Sequence, residues 1–173
     1  MSCFSRRGFL VLGAAGLLSA CSSVKPMLST KAPTTPQRLT TASILEAING
    51  ARRANGRPPL RYNYQLEEAA RSQARLMASR DQLSHDLGVT LRQRVTAAGY
   101  DGAVGENVAG GQWSLEQAID GWLHSPRHRD TLLSTRFVEF GLAVATVETD
   151  RKSRYGTYWT FIAGGSFDAW RVY

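Results

Sequence analysis

Apolar positions recur every three or four residues from Thr41 to about Leu133, and run almost unbroken through two later stretches. The first pattern is that of amphipathic helices and the second that of buried strands. Ile44, Leu45, Ile48 and Ala51 share one helical face from Thr41, with Ser43 and Glu46 spaced as a capping box, Gly56 as a C-cap and Pro58-Pro59 as a stop. A second helix is predicted from about Asn63 to Gln82, striped by Leu66, Ala70, Gln73 and Met77, and a short third from Thr90 to Ala98, ending at Gly99. A glycine-rich loop is expected over Gly102–Gly111. Ser114 and Gln117 cap a fourth helix striped by Leu115, Ile119 and Trp122, and Ser125-Pro126 opens a fifth. Phe137–Val147 and Tyr155–Ala163 read as a strand hairpin, joined by a charged loop at 148–154 and covered on both faces because neither looks wet. Helices first and strands last imply an α+β layered domain.

The chain before Thr41 follows a different logic. Arg6-Arg7 precede an apolar run from Phe9 to Ala20, too short to span a bilayer but of signal-sequence size. Ser5-Arg6-Arg7-Gly8-Phe9-Leu10 resembles a twin-arginine export signal, and Leu18-Ser19-Ala20-Cys21 resembles a bacterial lipobox, which makes Cys21 the candidate lipidation site. Residues 22–40 are rich in Pro, Ser, Thr and Lys and cannot bury enough apolar surface to order themselves. The organisation expected is an export signal at 1–20, a flexible tether at 21–40, one folded domain at 41–168 and a short tail at 169–173. A lipid anchor at Cys21 makes the membrane a partner, and Ser22 after the cysteine favours the outer membrane by the usual sorting pattern.

Composition narrows the classes. The formal net charge is +7, but Arg6 and Arg7 sit in the segment expected to be removed. The remaining excess is spread out, with no basic run and no basic–aromatic interleaving, so nucleic acid is not expected as a partner. A cell-wall polymer or an anionic membrane would suit the charge. The only cysteines are Cys3 and Cys21, so the domain beyond them folds without a disulfide and offers no cysteine nucleophile.

The three histidines are His85, His124 and His128. His124 and His128 are four apart, but Pro126 lies between them and breaks the helix that a zinc-binding pair would need. His85, Glu106 and His128 are the candidate site residues. If they converge, two imidazoles and a carboxylate form a Zn²⁺ set with one open position. Otherwise the histidines bond loop backbone and Glu106 caps nearby amides. No nucleophile elbow, phosphate-binding loop or dinucleotide fingerprint is present.

In order, Ile48-Asn49, Ala51-Arg52, Asn55-Gly56, Pro59-Leu60, Ser84-His85, Ala98-Gly99-Tyr100, Gly105-Glu106-Asn107, Trp122-Leu123, Ser125-Pro126, His128-Arg129, Phe140-Gly141-Leu142-Ala143 and Tyr158-Trp159-Thr160 resemble the CAP superfamily of SCP/PR-1-like domains in its bacterial branch. The resemblance implies a three-layer α-β-α sandwich around a central antiparallel sheet, with a cleft that in many members carries a zinc-binding tetrad of two His and two Glu. His85 matches the first His and Glu106 the Glu of the Gly-Glu-Asn motif. The second Glu position holds Ser125 and the second His position Tyr158. His128 belongs to the bacterial Ser-Pro-Gly-His-Arg motif, in which this chain has Arg127 for Gly. Activities implied by the resemblance are sterol or lipid binding, secreted defence or signalling, and peptide hydrolysis. For this chain a non-enzymatic module binding a small or apolar ligand is expected first. A metal-assisted hydrolase of peptide or cell-wall material, or a purely structural domain, are the alternatives.

Overall fold

The computed structural model describes residues 35–147 and 152–171. The export signal, Cys21, the first part of the tether and the tip of the charged loop lie outside these residues. The end of the tether is ordered: Pro36–Arg38 form a 3₁₀ turn and Leu39 packs on the core, so the folded unit begins before Thr41.

Five α-helices and four strands follow among the described residues. α1 spans Thr41–Ala54, β1 Arg61–Tyr62, α2 Tyr64–Arg80, α3 Leu91–Ala97, β2 Ala103–Gly110, α4 Leu115–His124, α5 Pro126–Leu133, β3 Glu139–Thr146 and β4 Thr157–Gly165. The helix starts are local chemistry. The capping box of α1 is Thr40 with Ser43, one turn earlier than the Ser43–Glu46 spacing suggested, because Thr40 holds the extended backbone of an N-cap. Thr90 and Gln93 make the same box on α3, and the Ser114 hydroxyl accepts from the Gln117 amide on α4.

The sheet order is β1-β3-β4-β2. β3, β4 and β2 are antiparallel, as expected, but the two-residue β1 lies parallel to β3. The stretch expected as a glycine-rich loop is the eight-residue edge strand β2, paired with β4 along its whole length, Ala103 to Gly165 through Gly110 to Tyr158. Pairing with a strand rich in aromatic and branched residues overrides the weak strand preference of its glycines.

β4 shows why both faces are dry. Trp159, Phe161 and Ala163 point to one layer, where α1, α4 and α5 contribute Ile48, Leu115, Trp122 and Leu132. Tyr158 and Ile162 point to the other, where α2 and α3 supply Leu66, Ala70, Met77 and Val95. The result is the three-layer α-β-α sandwich, with no helix among the described residues long and apolar enough to cross a membrane. Phe167–Trp170 form a final 3₁₀ turn, and Trp170, in the stretch expected as a tail, packs against Phe137 with ring centres 5.4 Å apart.

Candidate functional site

The site forms around β2, the open edge of the sheet. Its even-numbered residues face α2 and α3, and its odd-numbered ones face α5. Glu106 therefore points toward the loop after α2, where His85 stands, and toward α3. Gln73, from the buried stripe of α2, donates to the Ser84 carbonyl and ties down that loop. On the other face Asn107 Nδ2 donates to the His128 carbonyl at 2.8 Å, which fixes the first turn of α5 against the strand. Pro126 starts that helix and Ser125 ends the previous one, so His124 and His128 are on separate helices. His124 is an exposed surface residue whose Nδ1 lies 2.8 Å from the Asp120 carbonyl.

His85, Glu106 and His128 do come together. His85 Nδ1 is 2.9 Å from Glu106 Oε1, and the rings of His85 and His128 lie 6.3 Å apart between centres. A carboxylate only accepts, so Nδ1 of His85 is the protonated nitrogen and Nε2 keeps its lone pair in the neutral ring. His128 is held below the ordinary imidazole pKa, first by burial and then by the charge of His85.

A fourth residue completes the group. Arg94 of α3 sends Nη2 to Glu106 Oε2 at 2.6 Å, and Nη1 to the Val89 and His85 carbonyls. Arg94 and Glu106 expose only 1% and 3% of their side chains, which makes this a buried ion pair, whereas the His85 side chain is 56% exposed. The sequence reading missed Arg94. A signal was present: it lies three residues after Leu91 and beside Val95, on the inward face of α3.

A zinc ion does not fit this arrangement. Both oxygens of Glu106 are already engaged, one by His85 and one by a guanidinium. Tyr158, at the second histidine position, donates its hydroxyl to Asp81 at 2.7 Å. Ser125, at the second glutamate position, is the cap between α4 and α5. Two imidazoles remain, one fewer than the three protein ligands of a catalytic zinc, and the described residues contain no group of three or more His, Cys, Asp or Glu placed to hold an ion.

Comparison with known proteins agrees with the fold. Residues 45–163 match the model of the CAP family, described as the cysteine-rich secretory protein family. Over 147 residues the chain is 25% identical to the uncharacterised protein YkwD of Bacillus subtilis, covering 76% of this chain and 54% of that one; the chain thus spans about half the length of this curated relative. Among solved structures, an outer surface protein of Borrelia burgdorferi superposes with a TM-score of 0.62 at 23% identity, covering 72% of this chain and 91% of that one. An extracellular SCP-domain protein of Bacillus anthracis gives 0.60 at 25% identity, covering 79% and 45%. With the family model matching well over half of its length, on a sandwich of the same architecture, the chain belongs to the CAP family.

Proposed function

We propose that this protein is an exported, lipid-anchored CAP domain of the bacterial envelope that binds a small ligand at the cleft around β2 and does not turn it over. The observation that carries the reading is the engagement of Glu106. A carboxylate tied to Arg94 through one oxygen and to His85 through the other is placed to orient those two groups, which suits a positioning role better than that of a base or a metal ligand. Among the described residues no serine replaces it as an activated nucleophile: the Ser84 hydroxyl beside His85 donates to the Asp86 carbonyl. Fixed donors and acceptors around a cleft are what a binding site needs.

Support for the envelope comes from Cys21 in its lipobox and from the descriptions of two relatives, one an outer surface protein and one extracellular. The test is a calorimetric titration of the protein with Zn²⁺, beside a His85→Ala/His128→Ala variant, together with fractionation of cells carrying Cys21→Ser. The expected results are no stoichiometric zinc uptake by either form, and transfer of the Cys21→Ser protein from the membrane to the soluble fraction. Stoichiometric zinc binding that the double variant loses would overturn the non-metal reading and bring a metal-assisted hydrolase to the front. A Cys21→Ser protein that stays in the membrane fraction would overturn the anchor.

A further inference from the structure

On the α5 face of β2, away from the Glu106 carboxylate, lies a cavity of about 470 Å³. That size falls within the range of small-molecule sites. Gly105 and Phe137 line it, Trp170 forms one flank, and Arg57, Asp130 and Arg136 are its charged residues. Gly105 brings the strand close to this wall: a Cβ would sit 3.0 Å from both Phe137 Cζ and Thr131 Cγ2, a tight approach that side-chain shifts of a few tenths of an ångström would have to relieve. The Arg136 guanidinium lies over the Trp170 ring, 4.5 Å from its centre, and the Phe137 ring is next to it. One side of the cavity is thus an aromatic wall with a cation held against it.

The charge around the cavity is not balanced. Two guanidiniums face one carboxylate among the lining residues. Beside the lining residue Ser134 sits a third guanidinium, that of Arg52, which is fully buried. It donates to the carbonyls of Pro58, Leu132 and Ser134, the last of these a lining residue, while its Nη2 has no hydrogen-bond partner. Burial, and then the charge of Arg57, push the Arg52 pKa down, so these cations feel each other. A buried cation compensated only by carbonyl dipoles is costly, and its field is weakly screened inside the protein.

We infer that this cavity binds a small anionic ligand with a flat apolar body. The anionic group sits between Arg57 and Arg136, and the body lies against Phe137 and Trp170. The inference rests on reading the chain as a binding module and adds the place and the chemical class. Its test is a fluorescence titration of the full chain with two probes that share an aromatic body. One is 8-anilinonaphthalene-1-sulfonate, which is anionic; the other is N-phenyl-1-naphthylamine, which is neutral. One-site binding of the sulfonate is expected, weakened at least about tenfold in Arg57→Gln/Arg136→Gln through loss of charge-assisted contacts and in Trp170→Ala through loss of the aromatic surface. Affinity should also fall as salt is raised. The neutral probe should bind more weakly and ignore the arginine changes. Arg57, Arg136 and Trp170 are all exposed, so melting temperatures of the variants serve as a folding check.

Equal binding of the two probes, or sulfonate binding unchanged by Arg57→Gln/Arg136→Gln, would overturn the anionic class and leave the binding-module reading standing. Failure of both probes to saturate would overturn the cavity as a ligand seat. The module reading falls on a different result, zinc uptake through His85 and His128.

Discussion

At the scale of single residues, the arrangement turns on Arg94. Its guanidinium and the Glu106 carboxylate are both almost completely out of water, and neither is tolerable there alone. Arg94→Ala leaves the carboxylate buried with only the half-exposed His85 as a partner, and the loss expected is about 3–5 kcal/mol in urea unfolding. Arg94→Met/Glu106→Met removes both charges while keeping volume, and should recover most of that loss. A loss below about 1 kcal/mol for Arg94→Ala would mean that the pair does not hold the site together. The same residues show what the sequence could and could not reveal. His85, Glu106 and His128 were legible because few side chains carry their chemistry and each sits in a recognisable local context. Arg94 was legible only by its position on the inward face beside Val95; its type argued the other way, because an arginine on a short polar helix reads as a solvated charge until the fold turns that helix over. Nor could the sequence say that Glu106 would be saturated, since that depends on a contact between α3 and β2 that forms only in the folded sheet.

At the scale of elements, the periodic segments were legible and the exceptions have packing causes. The five helices fell where stripes and caps placed them, because each buries one apolar face; four are started by a side-chain cap, and α5 by Pro126 in its first turn with no side-chain cap bond. β2 was hidden because its glycines suit close approach rather than strand formation, and β1 because two residues show no period. Glycine on the sheet is demanded by neighbours, and two glycines can be set against each other. A Cβ on Gly141 of β3 would lie under 3.0 Å from the Glu67 amide nitrogen and from the Leu66 carbonyl carbon, both backbone atoms of α2. Backbone cannot swing aside as a side-chain tip can. Gly141→Ala should therefore destabilise by about 1–3 kcal/mol or more through separation of helix and sheet. Gly121 lies on the exposed side of α4 with nothing within 4 Å of its added Cβ. Gly121→Ala should stabilise by about 0.5–1 kcal/mol through helix propensity alone. Thermal melting of the two variants checks both signs, and a Gly141→Ala protein that melts with the parent would contradict the close contact of α2 and β3.

At the scale of the whole molecule, stability near neutral pH is tied to the cleft through His128. The imidazole is pushed toward its neutral form by burial and by His85, so its pKa in the folded protein lies below the roughly 6.5 of an unfolded chain. The sign follows from proton counting. Between the two values the unfolded chain binds more proton than the folded one, so stability rises with pH across that window. Read downward, stability is intact above about pH 6.5 and is lost as pH falls from there through the folded value. Most carboxylates titrate lower, so the upper part of this acid loss belongs to His128. The groups facing His128 are the ring of His85 and, through it, the Glu106–Arg94 pair. His128→Gln removes the proton-binding difference while keeping a polar side chain. Melting temperature recorded from pH 7 to pH 5 should fall less steeply in His128→Gln than in the parent, with the two curves converging above about pH 6.5 apart from a constant offset. A parallel pair of curves would show that the cleft histidine does not couple to global stability. A steeper fall in the variant would reverse the sign and place the imidazole in a setting that favours its charge. Because His128 stands at the start of α5, whose far end borders the cavity at Leu133, the same titration run with 8-anilinonaphthalene-1-sulfonate present separates two effects. A constant upward shift of the melting curve marks a ligand held by arginines, whose charge does not change in this range, whereas a shift that grows toward acid marks one held by the histidines.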